Sequence, residues 1–335
     1  MVVITSAPGP ESFGAARRRL LAIKSTQFCS GLGSYSAFSS HRKPKAIEFL
    51  KKPHHLRSVE KSFALSVPVV TAAFVLGVGL VAGAPAIAAG GAGSGLVAHK
   101  AFYEMEMGDK VQNSHIVSVM GRSVFAMERD CTGWRSIEDY VIRFVIENGG
   151  ADQVLSHFES WEADSGDKYS FDITEESSFE GRKDFGGFVQ LDVDSSGEAV
   201  FSTTPDTVVD LPTDTVFPVQ HVQSILSKAE AGEKMIAATV FTGAEPDSAL
   251  MRTSTIVGGW RDEPGQGLGA LGEDGYWQIN VAYFKPSAMT SEPEYVIKFE
   301  MQRNGLVRGY EIDYGDFSIE ASLTSVEPVE SQACS

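Results

Sequence analysis

Cysteines hold the clearest chemistry in this 335-residue chain, and there are three of them. Cys131 stands in Glu128-Arg129-Asp130-Cys131-Thr132-Gly133-Trp134, Cys334 is the penultimate residue, and Cys29 lies far upstream. No C-x-x-C spacing points to thiol exchange, and no paired cysteines offer themselves to zinc. Removal of an export signal would discard Cys29 and leave Cys131 and Cys334 at opposite ends of the mature chain. In an oxidising compartment that pair reads as a disulfide tying the C-terminal tail to an early strand. Two free, buried thiols are the other reading, and they require cytosolic residence. For a loop this long, the chain-entropy model puts the upper estimate of stabilisation at roughly 5 kcal/mol.

Other residue patterns carry less. Gly267-Leu-Gly269-Ala-Leu-Gly272 spells G-x-G-x-x-G, but a dinucleotide fingerprint needs a strand before it and a helix after it. Here Arg261-Asp-Glu-Pro264 precedes and Gly275-Tyr-Trp-Gln-Ile-Asn-Val281 follows as a strand, so a surface loop is expected. Asp192-Val-Asp194-Ser-Ser-Gly197 opens like a calcium loop, yet its twelfth position is Thr203 instead of Glu, and a β-turn fits better. His99, His115, His157 and His221 are widely spaced, with no H-E-x-x-H among them. There is no G-x-S-x-G elbow. Glu175 and Glu176 should face opposite sides of a strand, as solvated acids. No catalytic residue, metal ligand or cofactor site is assigned.

The leader that would deliver the cysteines is itself legible. Lys51, Lys52, Arg57 and Lys61 precede an uncharged run from Ser62 to Ala98 with an apolar centre at Val67–Val81. Ala84-Pro85-Ala86-Ile87-Ala88-Ala89 then supplies small residues before a cleavage point, in the order of a secretory signal. Cleavage between Ala88 and Ala89 (or after Ala86) is expected, with a retained membrane helix as the rival. Residues 1–61 form a basic extension whose start codon is open to question, 62–88 the apolar core and cleavage site, 89–95 a leader, and 96–335 one domain. Residues 1–88 hold 11 basic and 3 acidic side chains; the remainder holds 17 and 41, a net of −24. Such an acidic body should repel nucleic acid, which is excluded as a partner.

From Leu96 onward the pattern has period two. Tyr140, Ile142, Phe144 and Ile146 alternate with Val141, Arg143, Val145 and Glu147, which predicts one buried face. Turn signals at Gly108-Asp109, Asn148-Gly149-Gly150, Asp164 to Asp167, Asp194 to Gly197, Asn304-Gly305 and Tyr314 to Asp316 separate about a dozen strands. One helix is predicted over 218–231, with Pro218 in its first turn and Gly232 after its end. Val219, Val222, Ile225, Leu226 and Ala229 share a face that should lie against the sheet. The expected fold is mainly β, a single large antiparallel, curved sheet, barrel-like and open, with one α-helix.

The motif Cys131-Thr-Gly-Trp134 resembles that of the EipB family of cell envelope integrity proteins in alphaproteobacteria. The likeness runs through Leu96 to Tyr103, through Asp210 to Pro218 with His221, Ala229, Gly232 and Glu233, and through Val240-Phe241, Thr255 to Gly258 and the C-terminal cysteine. It implies a periplasmic protein with a bent, spiral-like sheet, one helix and a disulfide, and a role in envelope maintenance. It also implies association with periplasmic TPR-type helical-repeat proteins, and no catalytic residues are established in the family. A non-enzymatic protein that binds a partner is therefore expected. The alternatives are a carrier holding lipid or lipoprotein chains on an apolar concave face and, further off, a secreted hydrolase.

Overall fold

A computed structural model describes residues 95–334 apart from 113, 148, 193–196, 203–205, 266–267, 273, 287–290 and 331–333. The expected signal cleavage at Ala88 and Ala89, and the question of a retained membrane helix, lie outside the described residues. The N-terminal run of strands comprises β1 (His99–Lys110), β2 (Ile116–Arg129), β3 (Gly133–Ile146), β4 (Gly150–Ala163), β5 (Lys168–Ser177), β6 (Gly181–Gln190), β7 (Gly197–Phe201) and β8 (Thr207–Leu211). After a short β9 (Thr215–Val216) comes the helix α1 (Pro218–Glu230). The C-terminal run is β10 (Met235–Phe241), β11 (Leu250–Arg261), β12 (Tyr276–Phe284), β13 (Tyr295–Met301), β14 (Val307–Asp313) and β15 (Phe317–Pro328).

All fifteen strands belong to one sheet in the order β8-β7-β6-β5-β4-β3-β2-β1-β15-β14-β13-β12-β11-β10-β9. From β1 to β8 and from β10 to β15 sequence neighbours pair antiparallel, and the first and last strands, β1 and β15, also pair antiparallel. An uninterrupted up-and-down run of fifteen strands would bring β15 back parallel to β1. The parity is corrected at one step: β9 and β10 are parallel, and α1 carries the chain back between them. The two edge strands, β8 and β9, are consecutive in sequence, so the turn at 212–214 holds the edges together and makes the sheet a nearly closed barrel.

Local sequence explains the elements. In β3, Tyr140, Ile142 and Phe144 are buried, Ile146 packs partly buried on the same core, and Arg143 faces solvent. The helix ends as its sequence predicts: Gly232, at φ +84°, follows it, with Gly232 N–H donating to Ala229 O and Glu233 N–H to Lys228 O. That pair of bonds is the Schellman arrangement. One turn signal is corrected. Gly108-Asp109 lies inside β1, because Gly108 passes so close to Ser318 that a Cβ would strike its hydroxyl. The glycine serves close approach between strands, and no turn forms there.

Two apolar clusters fill the interior. The larger joins β1–β3, β10–β15 and the buried face of α1; the smaller gathers Phe158, Tyr169, Phe171, Phe201, Phe217 and Phe241 with neighbours on β5–β8. The stretch with G-x-G-x-x-G forms a short 3-10 turn over Gly269–Gly272, between strands β11 and β12. Among the described residues no βαβ unit surrounds it.

Candidate functional site

Where β8 and β9 meet, no ladder pairs the edges among the described residues, and side chains close the seam instead. Tyr169 of β5 stacks on Phe217, which precedes α1, with centroids 5.1 Å apart and planes 16° from parallel. Phe171 and Phe201 meet edge to face at 5.2 Å, and each lies within 6.0 Å of Phe241 on β10. Tyr169 is on the fourth strand of the sheet order and Phe241 on the fourteenth, so their contact at 6.0 Å means the sheet curls back on itself. Each aromatic pair adds about 0.5–1.5 kcal/mol beyond its burial. Tyr169 also donates to Thr242 O at 3.3 Å. Next along, Gly243 holds φ +77° with Phe171 3.0 Å from where a Cβ would sit, so both conformation and space demand glycine. Outside this cluster, Lys183 bridges Glu245 at 2.8 Å and Glu180 at 3.0 Å.

The helix enters the seam without a cap of its own. Phe217 occupies the N-cap position and offers no side-chain acceptor. Glu162 of β4 supplies it instead, accepting from Val219 N–H at 2.7 Å and Gln220 N–H at 2.8 Å. Burial raises the Glu162 carboxyl to about 7, against the two amide bonds that favour its charged form. Farther along α1, His221 Nε2 lies 3.3 Å from Thr253 Oγ1 on β11. Thr253 has one proton and donates it to Ala238 O, so the His221 ring donates through Nε2. Burial holds His221 down at about 4, neutral at ordinary pH.

Behind the seam, one register row of inward positions is polar: Tyr103, Ser123, Tyr140, Ser156 and Glu175 stand side by side across β1–β5. Large and small side chains alternate along it. Tyr140 donates to Glu175 at 3.4 Å, Ser123 meets the Tyr310 hydroxyl at 3.3 Å, and Tyr103 donates to Val307 O at 2.7 Å. Burial first, and the Glu138 and Glu175 carboxyls second, push the phenols of Tyr103, Tyr140 and Tyr310 well up. These tyrosines are therefore hydrogen-bond donors, and their chemistry is to fix register. Glu175 and Glu176 do face opposite sides, but Glu175 is buried rather than solvated. A belt of small partners on adjacent strands takes it in.

The sequence motif of residues 128–134 forms the turn between β2 and β3. Asp130 Oδ1 accepts from Thr132 N–H at 2.6 Å and Gly133 N–H at 2.8 Å, while Oδ2 accepts from Trp161 at 2.9 Å. Arg129 pairs with Asp164 through both guanidinium nitrogens and lies over the Trp134 ring at 5.1 Å. Cys131 is bonded to Cys334, with Cα atoms 5.4 Å apart across a separation of 203 residues. The histidines are dispersed: His99 is buried and lowered to about 4, His115 pairs with Glu147 and His157 with Asp139. Among the described residues no group of three or more His, Cys, Asp or Glu side chains could hold a metal.

Among the described residues, a nearly closed barrel of fifteen strands, plugged by one helix and pinned by one disulfide, defines the class. The EipB-like family model matches residues 91–330, and the chain belongs to that family. The cell envelope integrity protein EipB of Brucella abortus (strain 2308) is 28% identical over 240 residues, which is 69% of this chain and 84% of the relative. A crystal structure of a beta-barrel-like protein of a domain of unknown function from Brucella abortus superposes with a TM-score of 0.65. It is 26% identical, and the match spans 71% of this chain and all of that one.

Proposed function

We propose that this protein supports cell envelope integrity from the periplasm, without catalysis, by binding a partner on its outer surface. The observation that carries this reading is the packing of the interior: α1 and the seam aromatics lie buried against the concave face of the barrel. What remains on offer is outside and at the strand edges. There Phe188, Val200 and Val208 form one cross-strand row on β6–β8, with Phe188 57% and Val208 54% exposed. The similarity to a protein named for cell envelope integrity supports the cellular role, and a bonded cysteine pair suits an oxidising compartment. A periplasmic TPR-type helical-repeat protein is the partner class the family resemblance brings forward. Carriage of lipid or lipoprotein chains would require α1 to leave the concave face, which ranks it second.

Deleting the gene and restoring it in the host tests this. Loss of resistance to detergents and cell-wall antibiotics, rescued by the wild-type chain and not by Phe188→Ser with Val208→Ser, is the expected result. An intact envelope after deletion, or full rescue by the doubly substituted chain, rejects the reading.

A further inference from the structure

Among the described residues, β9 covers two positions of the outer edge of β10: it pairs Thr215 with Thr239 and Val216 with Val240, and then stops. Val257 N–H donates to Lys234 O across the β10–β11 ladder. Alternation from that bond directs the N–H and C=O of Met235 and Ala237 away from β11, toward the side where β9 does not reach. A cleft of about 550 Å³ lies beside this edge, over the outer face of β10–β12, with Ala237, Ala238, Thr239, Arg252, Ser254 and Phe284 among its walls. Met235 is 76% exposed, and its cross-strand partner Ile256 is 54% exposed, so an apolar pair marks the entrance.

The cleft has a closed end. The turn at 212–214 and β9 stand across from Thr239, so an added strand running from Met235 toward Thr239 meets them and must stop. Arg252 is the register partner of Thr239, at that closed end, and it has no acidic partner among the described residues. Arg252 is a guanidinium in the cleft of a domain with net charge −24, and it offers an anion a partner. The nearby Asp214 carboxylate is engaged by the Thr239 hydroxyl at 3.2 Å.

We propose that this cleft captures the free C-terminal end of a partner polypeptide, which adds as a short strand beside Met235–Ala238 and places its terminal carboxylate on Arg252. Backbone bonds to Met235 and Ala237 supply affinity, the small side chains of Ala237 and Ser254 leave room, and the guanidinium selects a chain end over a chain middle. The proposal rests on the partner-binding reading above and names the chemistry of the partner.

The test is fluorescence anisotropy on the full chain isolated from its host, against a pool of short synthetic peptides randomised at their C-terminal positions. Three forms are compared: free acid, C-terminal amide and N-acetylated free acid. Free-acid and N-acetylated peptides should bind, and amidation or Arg252→Gln should weaken binding by about 10- to 100-fold, the range for losing a charge-assisted hydrogen bond. Ala237→Trp, which fills the cleft at an exposed position, should abolish binding without changing the melting temperature. Binding that ignores amidation and Arg252→Gln overturns the proposal, as does binding lost only on N-acetylation, which would assign the site to an amino terminus at Asp214. Failure of every peptide to bind also overturns it. Rescue of the envelope phenotype by Arg252→Gln would leave the broader reading standing while this site falls.

Discussion

The barrel has two joins, and they are made of different things. At β1–β15 the first and last strands of the sheet meet through a long antiparallel ladder, from His99 opposite Pro328 to Lys110 opposite Phe317. At β8–β9 the edges are three residues apart in sequence and share no ladder, so Tyr169, Phe171, Phe201, Phe217 and Phe241 hold them. A backbone ladder tolerates most side chains, whereas an aromatic zipper depends on each ring. The seam is thus the place where sequence changes should matter most, and where opening by local motion should begin.

The largest expected effect follows directly. Phe201→Ala or Phe241→Ala removes a fully buried ring from the zipper and should cost about 3–5 kcal/mol, measured by urea unfolding. A loss below about 1 kcal/mol would show that the seam is not held by these rings. The disulfide comes next. It ties the C-terminal tail to the β2–β3 turn, on the laddered side of the barrel, and stabilises chiefly by restricting the unfolded chain. Cys131→Ser, Cys334→Ser and the double variant should each lose about 2–4 kcal/mol by the same amount. Losses that differ between the two single variants, or a double variant that loses more than either, would point to a separate role for one sulfur.

Much of the laddered side was readable from the sequence. The alternation at Tyr140–Phe144, the turns at 164–167, 304–305 and 314–316, and the helix from Pro218 to Gly232 follow local rules that a single chain displays. The seam was not readable, because its partners lie far apart in sequence and aromatics at period two look alike on every strand. One signal was present. Phe217-Pro218 opens a helix without Ser, Thr, Asp or Asn at its cap, which demands an acceptor from elsewhere. That it is Glu162, and that Glu138 and Glu175 also turn inward, required the register of β3–β5. The open edge of β10 was equally hidden, since it depends on how short β9 is.

The third prediction concerns that cap. Folded Glu162 sits at about 7, above the ordinary 4.5, so between those values the folded chain keeps a proton the unfolded chain has released. Its contribution is fully present below about 4.5 and is lost as pH rises through about 7. The span corresponds to about 3 kcal/mol at most. His99 and His221, lowered to about 4, act in the opposite sense: their contribution is present above 6.5 and is lost as pH falls toward 4. Glu162→Gln, which resembles the protonated acid, should therefore be close to the wild type at pH 5 and more stable than it at pH 8. A constant difference across that range would mean that Glu162 does not titrate with folding.

The smallest expected effect tests the other join. Register shifts between Phe102 and Tyr103, where Phe102 stands opposite Ser325 and Tyr103 opposite Leu323, so Thr324 is the extra residue of a bulge. At the bulge the Thr324 hydroxyl donates to the Phe102 carbonyl at 2.9 Å. Both groups are near water, because Thr324 is exposed and its bond is at the surface. Thr324→Ala should accordingly change stability by less than about 0.5 kcal/mol, with water replacing the hydroxyl. Hydrogen exchange gives a second readout. Amides of Ala101 to Met105 should stay protected to nearly the global unfolding free energy in the variant, while those of Met235 and Ala237 exchange fast in both proteins. If Thr324→Ala instead loses as much as Phe201→Ala, or frees the β1 amides, the join depends on this side chain and the contrast between ladder and zipper does not hold.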